Sequence, residues 1–194
     1  MRAIYANPPI CRRRVLLLQG FRARADRELP TTGENPANPL AGPPVRRSLQ
    51  AGDAKVLLIR HGPLSLRLQL RARQLRQLLD ARTFWARGRS LHDLRRMLLG
   101  SAAVVSAWEG DHLVGFGRAT SDGVFRAVLW DVVVAEQCEG YGLGRCIVEE
   151  LLASSAVAKA ERVYLMTTNS TGFYLKLGFS QSHGQQLLVR SIST

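Results

Sequence analysis

Residues 139–146 read EGYGLGRC. Before them runs AVLWDVVVA (127–135), apolar and rich in β-branched residues, which reads as a buried strand. After them IVEELLA (147–153) has the spacing of an amphipathic helix. Gly140, Gly142 and Gly144 alternate across the junction. Glycine lets backbone N–H groups approach a ligand with no Cβ in the way. The first turn of the next helix adds unpaired N–H donors and a partial positive charge. The stretch suits a phosphate or diphosphate. Two familiar loops fail letter by letter. A P-loop ends in Gly-Lys-Ser/Thr, whereas Gly144 is followed by Arg145 and Cys146, and the dinucleotide fingerprint lacks its third glycine. A bare glycine turn is the alternative, although each glycine forfeits about 0.5–1 kcal/mol of backbone preference. Glu139 stands at the mouth, where a carboxylate would repel a phosphate.

The elements around the loop predict an α/β protein with a mixed sheet covered by helices, in the order β-α-α-β-β-β-α-β-α-β. KVLLI (55–59) reads as the first strand. Leu68, Ala72, Leu75 and Leu79 recur at helical spacing, and Ser90 with Asp93 resembles a capping box opening a helix through Leu91, Leu94 and Leu98. The loop RTFWARGR (82–89) lies between them. AAVVSAW, HLVGFGRAT and RAVLWDVVV read as strands joined by the turns EGD and TSDG, with Asp122 as a turn residue. The segment ERVYLMT (161–167) reads as a strand, STGFYLKLG (170–178) as a short helix and QQLLVR (185–190) as a final strand.

At 194 residues, 46% of them apolar, the chain has room for one ordinary domain plus an appendage. Residues 1–53 hold seven of the eight prolines and no hydrophobic periodicity, so they are expected to be a Pro/Arg-rich extension without packed structure, with the domain at 54–194. No apolar run approaches the roughly 20 residues of a membrane helix. The three cysteines, Cys11, Cys138 and Cys146, form no CxxC pair, and the four histidines show no metal-ligand spacing. These point to a reducing, cytoplasmic setting and no metal. The Arg-rich, acid-poor start leaves the plastid stroma as the alternative, if it serves as a transit peptide. The net charge of +12 is concentrated in residues 1–96, but no aromatic-interleaved basic patch or reading motif accompanies it, which argues against nucleic acid.

The stretch DVVVAEQCEGYGLGRCIVEELL resembles the acetyl-CoA site of the GNAT N-acetyltransferases, whose motif is Gln/Arg-x-x-Gly-x-Gly/Ala. Glu139 takes the Gln/Arg position, followed by Gly142 and Gly144. FYLKLGF (173–179) is similar to the family's Tyr-x-Lys-x-Gly-Phe ending. The resemblance covers about residues 54–194. WDVVV, with GFGRATSDG before it, is most similar to the cyanobacterial and plastid branch. What the resemblance implies is transfer of an acetyl group from acetyl-CoA to a primary amine, either a protein lysine or a small arylalkylamine, by a monomer or homodimer. It implies cofactor contacts along Val132, Val133 and Val134 and around Glu139, Gly140, Tyr141, Gly142, Leu143, Gly144 and Arg145. The Glu139 side chain is expected to turn outward, with Arg145 offsetting its charge.

Tyr174 matches the family's general acid, and a phenol with pKa near ~10 suits a leaving thiolate. A core tyrosine is the plain alternative. Asp131, an acid inside an apolar strand, is the candidate base, or else a hydrogen-bonding structural residue. Asn169 either contacts the cofactor or caps a helix. Phe84 and Trp85 either wall the acceptor site or belong to the core. Two rival readings remain: a non-catalytic acetyl-CoA-binding regulatory module, which Glu139 favours, and a histidine phosphatase suggested by RHG at 60–62.

Overall fold

The computed structural model of the protein describes residues 45–51, 54–61, 68, 69 and 71–190. A six-stranded sheet runs in chain order: β1 (Val45–Ala51), β2 (Ala54–His61), β3 (Ala103–Glu109), β4 (His112–Ser121), β5 (Arg126–Val134) and β6 (Arg162–Tyr164). The first five strands pair antiparallel, and β6 joins β5 in parallel. The helices are α1 (Ala72–Arg82), α2 (Leu91–Leu99), α3 (Leu143–Leu152) and α4 (Thr171–Leu175). The fold is therefore the mixed α/β sheet the sequence implied.

The core explains the choice of elements. α1 buries Ala72, Leu75, Leu78 and Leu79 along one stripe, and α2 buries Leu94 and Leu98. Ser90 caps α2, accepting the Asp93 N–H at 3.1 Å. On one face of the sheet α3 lies very close: a Cβ built on Gly117 would stand 2.7 Å from Ile147, so only glycine admits the helix there. α1 packs against β4 and β5, and Arg71 at its start lies over the Trp108 ring.

The two ends of the sheet differ from the sequence reading. Residues 45–51 are not loose chain but an edge strand, paired residue for residue with β2, from Val45 opposite Arg60 to Ala51 opposite Ala54. Arg47 and Arg60 both reach Glu150 of α3. The strand is held by backbone pairing more than burial, since most of its described side chains are exposed, and so its apolar signal is weak. The extension without packed structure, expected over residues 1–53, thus loses its last part; residues 1–44 lie outside the described set. At the far end, 185–190 form no strand and are exposed. An apolar run supplies propensity, but a strand needs a partner. β6 is only three residues long, and a groove of about 530 Å³, lined by Tyr164, Leu177, Phe179 and Gln185 among others, lies beside it.

Candidate active site

The glycine loop is held open at the start of α3. Gly140 and Gly142 have φ of 80° and 78°, left-handed values that other residues avoid, and a Cβ built on either would meet no atom within 4 Å. Gly142 is the N-cap. The first helical bond runs from Cys146 N–H to Gly142, which leaves the N–H groups of Leu143, Gly144 and Arg145 without a backbone partner among the described residues. These amides open onto unoccupied space beside Gly140 and Gly142, where the start of a helix favours an anion.

Glu139 does not compete for those amides. Its carboxylate pairs with Arg82 in the last turn of α1, which also stands 3.5 Å from Glu136. The cation beside Glu139 is Arg82, not the expected Arg145. Arg145 is engaged with Glu149 one turn along α3, at 2.6 Å. Tyr141 is exposed at the tip of the loop.

Beside the loop the sheet splays. β6 leaves β5 after Val128 opposite Tyr164, whereas β5 stays paired with β4 as far as Val134. The outer edge of β5 from 129 to 134 is thus unpaired among the described residues. Ala135 donates its N–H to Val114 at 2.8 Å, so strand alternation turns the Val134 N–H the other way, to the open edge. Val133 is buried in the core and pairs with Phe116, and Val132 packs near Gly117 towards α3. A Cβ on Gly144 would lie 3.6 Å from both Val134 and Phe173. Strand end, glycine loop and α4 meet at that point.

Tyr174 follows on α4. Its ring packs edge-on against Phe173 and Phe179, at 4.9 and 5.8 Å between centroids. It is half-buried, its hydroxyl has no hydrogen-bond partner among the described residues, and burial raises its pKa above the usual phenol value. Asn169 is exposed and accepts from the Ser170 hydroxyl at 3.3 Å; the N-cap of α4 is Ser170 instead.

Asp131 sits in a β-bulge. Gly117 on β4 faces both Asp131 and Val132, and Asp131 takes φ of 51°, a left-handed value that costs a non-glycine residue about 1–2 kcal/mol. The side chain holds the residue there. Only 4% exposed, it accepts from Arg118 Nε at 2.7 Å and from Trp85 Nε1 at 3.2 Å, with Arg89 Nη1 at 3.6 Å. Trp85 and Phe84 stack edge-on at 5.0 Å and are 50% and 68% exposed, so neither is core. The network of Arg89, Arg118 and Trp85 escaped the sequence reading; an acid in an apolar strand was its only signal.

His61, the histidine of the RHG triplet, is a sheet residue whose Nε2 lies 2.6 Å from the buried Ser106 hydroxyl. Among the described residues no His, Cys, Asp and Glu side chains cluster to hold a metal, and no helix is long and apolar enough to cross a membrane.

Residues 72–179, more than half of the chain, match the model of the acetyltransferase (GNAT) family. The chain is 46% identical over 68 residues to serotonin N-acetyltransferase 2, chloroplastic, of Oryza sativa subsp. japonica, a match covering 34% of each chain. It is 34% identical over 111 residues to the uncharacterized N-acetyltransferase ycf52 of Pyropia yezoensis, covering 55% of this chain and 63% of the relative. The chain thus spans from about a third to under two thirds of the lengths of these two relatives. A Xanthomonas campestris pv. campestris structure described as of the GNAT family superposes with a TM-score of 0.60 at 24% identity, over 71% of this chain and 93% of that one, which speaks for the fold. By its sheet, its glycine loop and this match, the chain belongs to the acetyltransferase (GNAT) family.

Proposed function

We propose that the protein transfers the acetyl group of acetyl-CoA to a primary amine. The observation that carries this reading is the meeting of the unpaired β5 edge, the glycine-loop amides and α4 at Val134, Gly144 and Phe173. Acetyl-CoA supplies an activated thioester. The amides of Leu143, Gly144 and Arg145 would hold its diphosphate, and the Val134 N–H, aimed into the splay, would hydrogen-bond its carbonyl oxygen as negative charge develops there. Tyr174 keeps its proton at neutral pH and can give it to the leaving thiolate. Phe84 and Trp85, exposed on the α1–α2 loop, would form a wall for the acceptor.

Asp131 serves better as a positioning residue than as the base. Two guanidiniums and an indole N–H already face its carboxylate, and it ties the α1–α2 loop to the bulge. The non-catalytic reading leaned on Glu139, and its pairing with Arg82 weakens that reason. Three relatives carry "chloroplastic" in their names, which supports a plastid setting. The test is release of free CoA thiol from acetyl-CoA across a panel of amines, with calorimetry of acetyl-CoA binding. Binding without thiol release for any amine would favour the non-catalytic module.

A further inference from the structure

We propose that Arg118 and Arg89 form an anion-binding subsite on the acceptor side, so that the amine taken by the protein carries a carboxylate or a phosphate. That the ligand is an amine rests on the acetyltransferase reading; that an anion belongs here rests on the residues themselves. Two guanidiniums face a single carboxylate, Asp131, which leaves one positive charge in excess. Arg118 is 13% exposed and meets Asp131 side-on through Nε. Its two terminal nitrogens have no hydrogen-bond acceptor among the described residues. A guanidinium engaged through Nε alone keeps four N–H donors, in the fork that matches a carboxylate or phosphate. Leaving such donors unmet away from water is costly. Trp130 lies against this guanidinium at 5.6 Å, and its own indole N–H is spent on Thr120 at 2.9 Å, so the ring stays in place.

Arg89 is more open, at 34% exposed. Its 3.6 Å approach to Asp131 is too long for a hydrogen bond, and its one hydrogen bond among the described residues goes to the Met97 sulfur. It can turn towards a ligand entering past Trp85. The excess charge disfavours a purely cationic amine and favours one that carries its own anion.

β-Alanine, O-phosphoethanolamine and propylamine supply an amine with a carboxylate, with a phosphate and with neither. Binding is followed by tryptophan fluorescence and calorimetry, and acetylation by thiol release. At least one of the two anionic amines should bind about tenfold tighter than propylamine, with the gain shrinking as salt rises; which one it is separates carboxylate from phosphate. In Arg89→Gln that ratio should fall by at least threefold, and Arg118→Lys, which keeps the charge and loses the fork, should lower it as well. Equal binding of all three amines, or ratios unchanged in both folded variants, overturns the subsite and shows that water alone satisfies the arginines. Selective binding with no acetylation would leave the subsite standing and sink the acetyltransferase reading instead.

Discussion

Arg82 in the last turn of α1 holds the carboxylate of Glu139, 57 residues away, at the edge of the glycine loop. The pair sets what Glu139 does to an anion bound beside it. With its charge balanced, Glu139→Gln should tighten acetyl-CoA by no more than about tenfold, ~1.4 kcal/mol, and less at high salt. Arg82→Ala should weaken binding several-fold, and that loss should shrink when Gln already stands at 139. Calorimetry of the two single variants and the double variant reads the coupling. Additive effects would mean that the pair does not shield the loop. Stability should change by less than about 1 kcal/mol in each, because the pair is exposed.

Tyr174 is expected to act as a general acid. Burial raises its pKa, so the phenol keeps its proton through the pH at which a free tyrosine loses it, near ~10, and activity should decline only above that point. Tyr174→Phe should lower kcat by roughly 10–10⁴-fold with little change in acetyl-CoA affinity, and should remove the alkaline limb of the kcat profile. A wild-type kcat would reduce Tyr174 to a packing residue against Phe173 and Phe179.

Much of this site is legible in the sequence because it is local. The strand, glycine loop and helix at 127–153 lie together in the chain, and the period of the apolar residues switches at the loop itself. Ser90 and Asp93 are three residues apart, which makes the α2 cap readable too. What stayed hidden depends on partners distant in the chain. Arg82 with Glu139 and Trp85 with Asp131 span 57 and 46 residues. Strand β1 gives little apolar pattern, because its pairing uses backbone groups that every residue carries. The reverse error, a strand at 185–190, took propensity for pairing.

Asp131 offers a clean separation of base from positioning residue. Asn at 131 can still accept from Trp85, but it removes the negative charge between Arg118 and Arg89. As a positioning residue, Asp131→Asn should alter KM for the amine and lower kcat by less than about tenfold, leaving the acidic limb of the kcat profile in place. As the base it would lower kcat by roughly 10²–10⁴-fold and abolish that limb. Stability should fall by about 3 kcal/mol, since Arg118 would lose its carboxylate in a mostly buried place; denaturant unfolding measures that part separately.

Gly142 decides whether the loop is an anion site or only a turn. Its φ of 78° strains any side chain, and a branched one most, so both Gly142→Ala and Gly142→Val should lose about 1 kcal/mol or more of stability. If the loop were a turn alone, the two variants would differ only in that loss. The space in front of Gly142 is open, however, with no protein atom within 4 Å of a built Cβ. A ligand lying on the amides of Leu143 and Gly144 would use that space, and a valine would fill it. Gly142→Val should therefore abolish acetyl-CoA binding while the far-UV circular dichroism stays native, and Gly142→Ala should weaken it less. Unchanged affinity in a folded Gly142→Val would remove the loop from the cofactor site, and with it the claim that three alternating glycines were placed there for an anion.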